Sequence, residues 1–357
     1  MIDRLRTWLQ ESGAGAAWIS DPVSIAYLTG FHTEPHERLM GLAVRAGGAV
    51  LVVPGLEEDA ATSAARGVEV LVWRDGEHPF GVAARALAGA EALAVEKHHL
   101  TLAMAEALSE AAGVERLVDA GPTLLRMRLH KSEDEVERLR RAAEATDRVT
   151  AAIIDWLHPG QTELEVAARL SALIGGEGCT LSFESIVQAG PNSALPHLRP
   201  TGRRLQRGDL VLLDFGAAWQ GYRADTTRMA VIGEPDARQV EVNQVVLQAH
   251  DAAIARVRAG VTTGQVDAAA REVIERAGLG DRFIHRVGHG LGLEAHEAPS
   301  LDPGSELVLE PGMVITIEPG VYIPGWGGVR IEDDVVVDEG GARVLTSCDR
   351  SLRVVEA

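Results

Sequence analysis

Cysteine is nearly absent: Cys179 and Cys348 are the only two in 357 residues. They lie far apart, with neither metal-site spacing nor a framework of bridges, so a disulfide-stapled fold is excluded and a reducing compartment is expected. Basic charge is also scarce, with 34 Lys and Arg against 52 Asp and Glu, for a net charge of −18. A nucleic-acid partner needs basic surface to displace counterions, so none is expected. Uninterrupted apolar runs are missing too. The longest candidate, Pro311 to Val329, is broken by Glu318 and by Pro and Gly, which rules it out as a membrane span. The first residues carry Asp3, Arg4 and Arg6, without an apolar signal core or a small-residue cleavage site. They read as an amphipathic helix, and a soluble, cytoplasmic protein is the expectation.

What remains is ordinary globular composition, 46% hydrophobic and 24% charged. The length exceeds one typical domain, so two are expected. In the first part, AAWIS, GLAVRAGGAVLVV, VEVLVW and ALAVE read as strands. LEEDAATSAARG, PFGVAARALAG and TLAMAEALSEAAG read as helices closed by Gly. That alternation suggests an α/β sandwich up to about Pro122. Next, Ser132 and Glu135 form a capping box, and Val136, Leu139, Ala143, Thr146, Val149, Ile153 and Leu157 follow at helical spacing. The domain boundary falls near Met127 to Lys131, giving domains at 1–127 and 128–357.

The second part contains an internal repeat. Gly160, Thr162 and Val166 are answered by Gly260, Thr262 and Val266. RGDLVLLDFG resembles EPGMVITIEPG, aligning Gly208 with Gly312, Asp214 with Glu318 and Gly216 with Gly320. Arg223 and Asp225 align with Arg330 and Glu332, and His197 and Pro200 with His296 and Pro299. Helix similarity alone can arise from chance Gly and Ala matches. An acid on an acid twice and a His on a His, in the same order, points instead to a duplicated αβ unit with an approximate two-fold axis.

Side chains alternate along a strand, so Leu210, Leu212 and Asp214 share a face, as do Val314, Thr316 and Glu318. Taken singly, each acid suits a turn or an ion pair, and Arg223 and Arg330 are available to pair with Asp225 and Glu332. Taken together, Asp214, Asp225, Glu318 and Glu332 converge on one axis, where four carboxylates stay ionised only if cations neutralise them. Two divalent metals meet that need. One nitrogen ligand is assigned to His289 in GHGLG, with Gly190 at its place in the first half. His197 and His296, which answer each other, are assigned to flank the substrate. The oxygen-rich set suits Mn or Co, with Zn a further option. His98 and His99 read as a solvated loop. Glu34, His36, Glu37 and Arg38 read as an exposed polar turn.

These motifs, DFG, RADTTR, GHGLG, IEPG and RIEDD, resemble those of the pita-bread metallopeptidases, the family of prolidase, aminopeptidase P, methionine aminopeptidase and creatinase. The resemblance spans nearly the whole chain. It implies an α+β protein, with a pita-bread catalytic domain of internal pseudo-two-fold symmetry behind an α/β creatinase-like N-terminal domain. It implies that Asp214 binds one metal and His289 and Glu318 the other, while Asp225 and Glu332 bridge them. His197 and His296 would contact the scissile carbonyl and oxyanion, and Arg330 would support the carboxylates. The filled ligand positions argue against the creatinase branch.

The stretch DPVSIAYLTGFHTEPHERLM is similar to that of bacterial Xaa-Pro dipeptidases. It implies a homodimer in which Glu34, His36, Glu37 and Arg38 reach over the partner's site and limit substrate length. The expected reaction is hydrolysis of Xaa-Pro dipeptides by a metal-bridging hydroxide, with Glu318 moving the proton. The alternatives are aminopeptidase P-like action on longer Xaa-Pro peptides, methionine aminopeptidase action, disfavoured by the N-terminal domain, and a non-catalytic binding role. One position departs from the family: some prolidases carry an Arg directly after HExP, suited to a dipeptide's carboxylate, and here Ser300 follows Pro299.

Overall fold

The computed structural model describes residues 1–356. The chain folds into two compact units, Met1–Met127 and Arg128–Ala357. No helix among the described residues is long and apolar enough to cross a membrane.

The first unit is built on β1 (Ala16–Ile19), β2 (Gly41–Arg45), β3 (Gly48–Pro54), β4 (Glu69–Trp73), β5 (Ala92–Val95) and β6 (Arg116–Asp119), in the order β4-β3-β2-β1-β5-β6. Its helices are α1 (Ile2–Ser12), α2 (Pro22–Thr29), α3 (Glu58–Ala64), α4 (Pro79–Leu87) and α5 (Leu102–Ala112), and α6 (Gly121–Leu129) ends it. One detail differs from the sequence reading and another was not assigned there. GLAVRAGGAVLVV is an antiparallel hairpin, with Arg45 opposite Gly48 across the turn, rather than one strand. DPVSIAYLTG is a helix, α2, capped by Asp21, whose side chain accepts from the Val23 and Ser24 amides. Six of its eight residues are buried, so it lacks the polar stripe that marks an amphipathic helix.

The second unit repeats one pattern twice. Helices α7 (Glu133–Trp156) and α8 (Glu163–Gly176) precede the first set of strands: β7 (Thr180–Leu181), β8 (Ile186–Ala189), β9 (Leu210–Phe215), β10 (Ala217–Trp219), β11 (Tyr222–Arg223) and β12 (Thr226–Ile232). Helices α9 (Ala237–Arg256) and α10 (Thr263–Arg276) precede the second: β13 (His289–Gly290), β14 (Glu297–Ser300), β15 (Val314–Ile317), β16 (Gly320–Ile323), β17 (Gly327–Arg330), β18 (Asp333–Val337), β19 (Ala342–Val344) and β20 (Arg353–Val355). β8, β9 and β12 are antiparallel neighbours, and so are β13, β15 and β18.

The repeat is visible residue by residue. All four long helices begin with a capping box, from Ser132, Thr162, Asp236 and Thr262, which satisfies amides that the first turn leaves free. Gly160 and Gly260 both have positive φ, 90° and 82°, as do Gly208 and Gly312, 88° and 83°. The seven helix-spaced positions from Val136 to Leu157 are all buried. Val211, Leu213 and Phe215 cluster with α7 and α8, while Ile315 and Ile317 cluster with α9 and α10. Each such buried side chain stabilises the fold by roughly 1.5–3 kcal/mol. The opposite strand faces, carrying Asp214 and Glu318, are left for the site.

Candidate metal centre

Strand geometry delivers the acids. Asp214 lies on β9 opposite Thr227 of β12. Asp225 immediately precedes β12, while Glu318 immediately follows β15 and Glu332 immediately precedes β18. Asp214, Asp225 and Glu332 place one oxygen each within 4.8 Å of one another. His289, Glu318 and Glu332 bring one ring nitrogen and two oxygens as close, and Asp225, His289 and His296 one oxygen and two ring nitrogens. His289 Nε2 stands 3.4 Å from Glu318 Oε1 and 3.8 Å from Asp225 Oδ2. The five residues expected as ligands therefore meet in one place, with His296 beside them.

The register corrects one detail of the repeat. Ile186 pairs with Asp214 on β8 and β9, and the Glu318 amide donates to Val287 O at the matching point of the second half. Counting along each strand puts Gln188, not Gly190, at the position of His289. Gln188 is fully buried and donates to Leu195 O and Leu198 O.

The donor set fits cations. Asp214, Asp225, His289 and Glu332 are all buried. Among the described residues, Asp214 Oδ1 and Asp225 Oδ1 have no hydrogen-bond partner, a costly state for carboxylate oxygens unless something else satisfies them. Burial raises the pKa of Asp225 well above the carboxylate range, and the charges of Glu332 and Asp214 add to it. Glu332 is raised well above it by burial and by Glu318 and Asp214. Glu318 is pushed up to about 7, again chiefly by burial. Burial also takes His289 down to about 3, helped by His296, so its imidazole is neutral and its lone pair available.

One buried cation sits among these acids. Arg330 donates from Nη2 to Asp214 Oδ2, from Nε to Thr227 Oγ1 at 3.0 Å and from Nη1 to the Tyr322 hydroxyl at 2.7 Å. Thr227 Oγ1 in turn donates to Glu332 Oε2 at 2.6 Å. Arg330 thus pairs with Asp214 of the other half and reaches Glu332 only through the Thr227 hydroxyl, rather than pairing with Glu332. Arg223, its counterpart, donates to Leu293 O and pairs with no site acid. Two groups escaped the sequence reading. Asp334 is buried and accepts from the Asp225 amide at 3.0 Å. Arg286 lines the same cavity from a coil segment without periodic signal.

Glycine makes the close approach possible. A Cβ on Gly288 would lie 2.0 Å from Thr316 O, and one on Gly290 2.1 Å from Ala298 O. Gly288→Ala must displace β13 from β15, and with it His289, whose amide donates to Thr316 Oγ1 at 3.1 Å. Metal affinity is expected to fall by about ten- to a hundredfold, the usual effect of disturbing a ligand's support. Titration calorimetry with Mn or Co checks this.

The cavity has a volume of about 530 Å³, and its lining includes Phe183, Ile186, Pro196, His197, Ala295 and His296 together with the acids. His197 and His296 are both exposed at it. The His296 and His289 rings stand edge to face, 4.1 Å apart. Within the first unit, Glu34, His36 and Glu37 are exposed, and Arg38 pairs with Asp75 at 2.5 Å. His98 and His99 are exposed as well; His98 lies near buried Glu96 and Asp21, which together serve the start of α2.

Residues 137–339 match the profile described as Metallopeptidase family M24, and residues 1–130 match that of the Creatinase/Prolidase N-terminal domain. The chain is 40% identical to the putative dipeptidase YkvY of Bacillus subtilis, over 99% of each chain. Its fold is similar to that of the Xaa-Pro dipeptidase from Bacillus anthracis, with a TM-score of 0.92, 33% identity and 99% of both chains covered. It is similar also to the X-Pro aminopeptidase from Thermotoga maritima, with a TM-score of 0.90, 32% identity and 99% of both chains covered.

Proposed function

This chain belongs to metallopeptidase family M24, and from that premise we propose that it is an Xaa-Pro dipeptidase, hydrolysing the bond between an N-terminal residue and proline. The observation that carries this reading is the convergence of four acids and one neutral imidazole on a cavity with two histidines at its edge. Asp214, Asp225, His289, Glu318 and Glu332 would hold two divalent ions, Mn or Co before Zn. Bound there, the ions supply Lewis acidity that polarises the scissile carbonyl and makes a water acidic near neutral pH.

The chain's own groups do the rest. Glu318 takes the proton of the attacking water and passes it to the departing proline nitrogen. His197 and His296 donate to the carbonyl oxygen as it gains charge. Arg330 keeps Asp214 in place and, through the Thr227 hydroxyl, orients Glu332. The apolar Phe183, Ile186 and Pro196 line part of the cavity and suit a ring that offers no amide hydrogen. Glu34, His36, Glu37 and Arg38 would bound the substrate's length from the partner of a homodimer.

His197→Ala and His296→Ala are each expected to lower kcat by about a hundred- to a thousandfold with metal content unchanged, the usual cost of an oxyanion donor. Steady-state kinetics beside metal analysis checks this; full activity in both variants removes the assignment. A second reading, release of the first residue from longer Xaa-Pro peptides, is favoured by Ser300 where a carboxylate-gripping Arg would stand. Turnover of Ala-Pro against Ala-Pro-Ala separates the two. A protein that takes up no Mn, Co or Zn would instead be a binding member of the family.

A further inference from the structure

The cavity is rich in carboxylates, yet one of its cations has no acid of its own. Arg330 is committed to Asp214. Arg286 also lines the cavity and donates from Nη1 to Ser300 Oγ at 2.7 Å, and among the described residues it forms no ion pair with any carboxylate. An arginine carries five N–H donors, so most of this guanidinium remains available.

Its backbone is held on both sides. His285 O accepts from Arg271 Nη2 at 2.9 Å, and the Val287 amide donates to Asp267 Oδ1 at 3.1 Å. Arg271 and Asp267 pair through two hydrogen bonds, of 2.8 and 2.9 Å, and Arg271 also donates to Phe283 O. A clamp spanning residues 283–287 thus presents Arg286, and Ser300 fixes one end of its fork. A free side chain seeking solvent would need neither.

We propose that Arg286, oriented by Ser300, is the subsite that receives a substrate carboxylate. The inference rests on the peptidase reading above and deepens it. A planar guanidinium matches a carboxylate in a bidentate pair, and the surrounding acids repel any anion that is not so matched. A dipeptide carries one carboxylate by necessity, at its end, and an acidic first residue carries another. Both offer the same chemistry. Arg286 binds the substrate, and Ser300 is a positioning residue that acts through it.

The test uses metal-loaded enzyme and three substrates: Ala-Pro, Ala-Pro amide and Asp-Pro amide. In wild type, a substrate whose carboxylate meets Arg286 has the lower KM. Arg286→Met raises that KM by about ten- to a hundredfold, the loss of one charge-assisted hydrogen-bonded contact, with kcat within a few-fold. Ala-Pro amide is unaffected. Arg286→Lys restores part of the loss, and Ser300→Ala raises the same KM several-fold. A loss confined to Ala-Pro assigns the chain end; one confined to Asp-Pro amide assigns the side chain. An Arg286→Met enzyme that changes all three substrates alike, or none, overturns the proposal. Wild type that cleaves none of them overturns the peptidase reading itself, a different failure seen before any variant is made.

Discussion

Asp225→Asn is expected to lower Xaa-Pro hydrolysis by about a thousandfold or more, while leaving the metal-free fold at least as stable as before. Asp225 belongs to two of the clusters that could hold a cation, one with Asp214 and Glu332 and one with His289 and His296. An amide keeps the shape and one oxygen but loses the charge that holds a cation. Polarisation by a bound ion is worth several kcal/mol, and each 1.36 kcal/mol is tenfold in rate. The stability half of the expectation comes from the same electrostatics. Asp225 is 4% exposed and surrounded by Glu332, Asp214, Asp334 and Glu318, so without cations its charge opposes folding. A neutral amide removes that opposition. Kinetics, metal content and thermal denaturation with and without chelator check both halves. Full activity, or a chelated variant melting well below chelated wild type, would remove Asp225 from the centre.

Arg228→Met should act in the opposite sense, unfolding the protein rather than silencing it. Arg228 is 1% exposed and donates to Asp333 Oδ1 at 2.6 Å, Glu332 O at 2.5 Å and Cys348 O at 3.0 Å. Asp333 is itself fully buried, with His250 Nε2 3.0 Å from Oδ2, Thr346 Oγ1 2.6 Å from Oδ1 and Arg350 beside it. Removing one partner of such a pair leaves a buried charge undercompensated, at about 3–5 kcal/mol, or on the order of 10 °C in Tm for a unit of this size. The pH dependence has a definite sign. Burial works against the Asp333 carboxylate, but Arg228, His250 and Arg350 outweigh it and hold its pKa well below the usual range. Its stabilisation is therefore complete above the unfolded carboxylate pKa of about 3.9 and is lost as the pH falls below it. Denaturation at pH 7 should separate variant from parent clearly, and the gap should narrow in acid below about pH 4. Equal stability at pH 7 would mean that desolvation cancels the pair.

The acids were legible because strand alternation and the duplicated order fix their faces without reference to distant contacts. LVLLDFG and VITIEPG carry that signal within a few residues. The capping box of α7 was legible for the same reason. Helix α2 was not, because a helix buried on nearly every side has no stripe to detect. The hairpin of β2 and β3 was hidden in a run that is apolar but for Arg45 and whose turn is only Ala46-Gly47. Gln188 and His289 correspond only through two separate ladders, which spacing relative to His197 and His296 cannot reveal. Arg286 owes its place to Arg271 and Asp267, partners 15 and 19 positions earlier on another element, and no local pattern announces it.

The pairing of Gln188 with His289 has a consequence for how the centre came to be lopsided. Were the two half-units separate and identical, any residue at this point would appear on both sides of the axis, as a histidine twice or a glutamine twice. Joined in one chain, the sides differ: one amide braces the Leu195 and Leu198 carbonyls, and one imidazole turns its lone pair inward. Covalent linkage is what lets the two sides of the candidate site become chemically unequal.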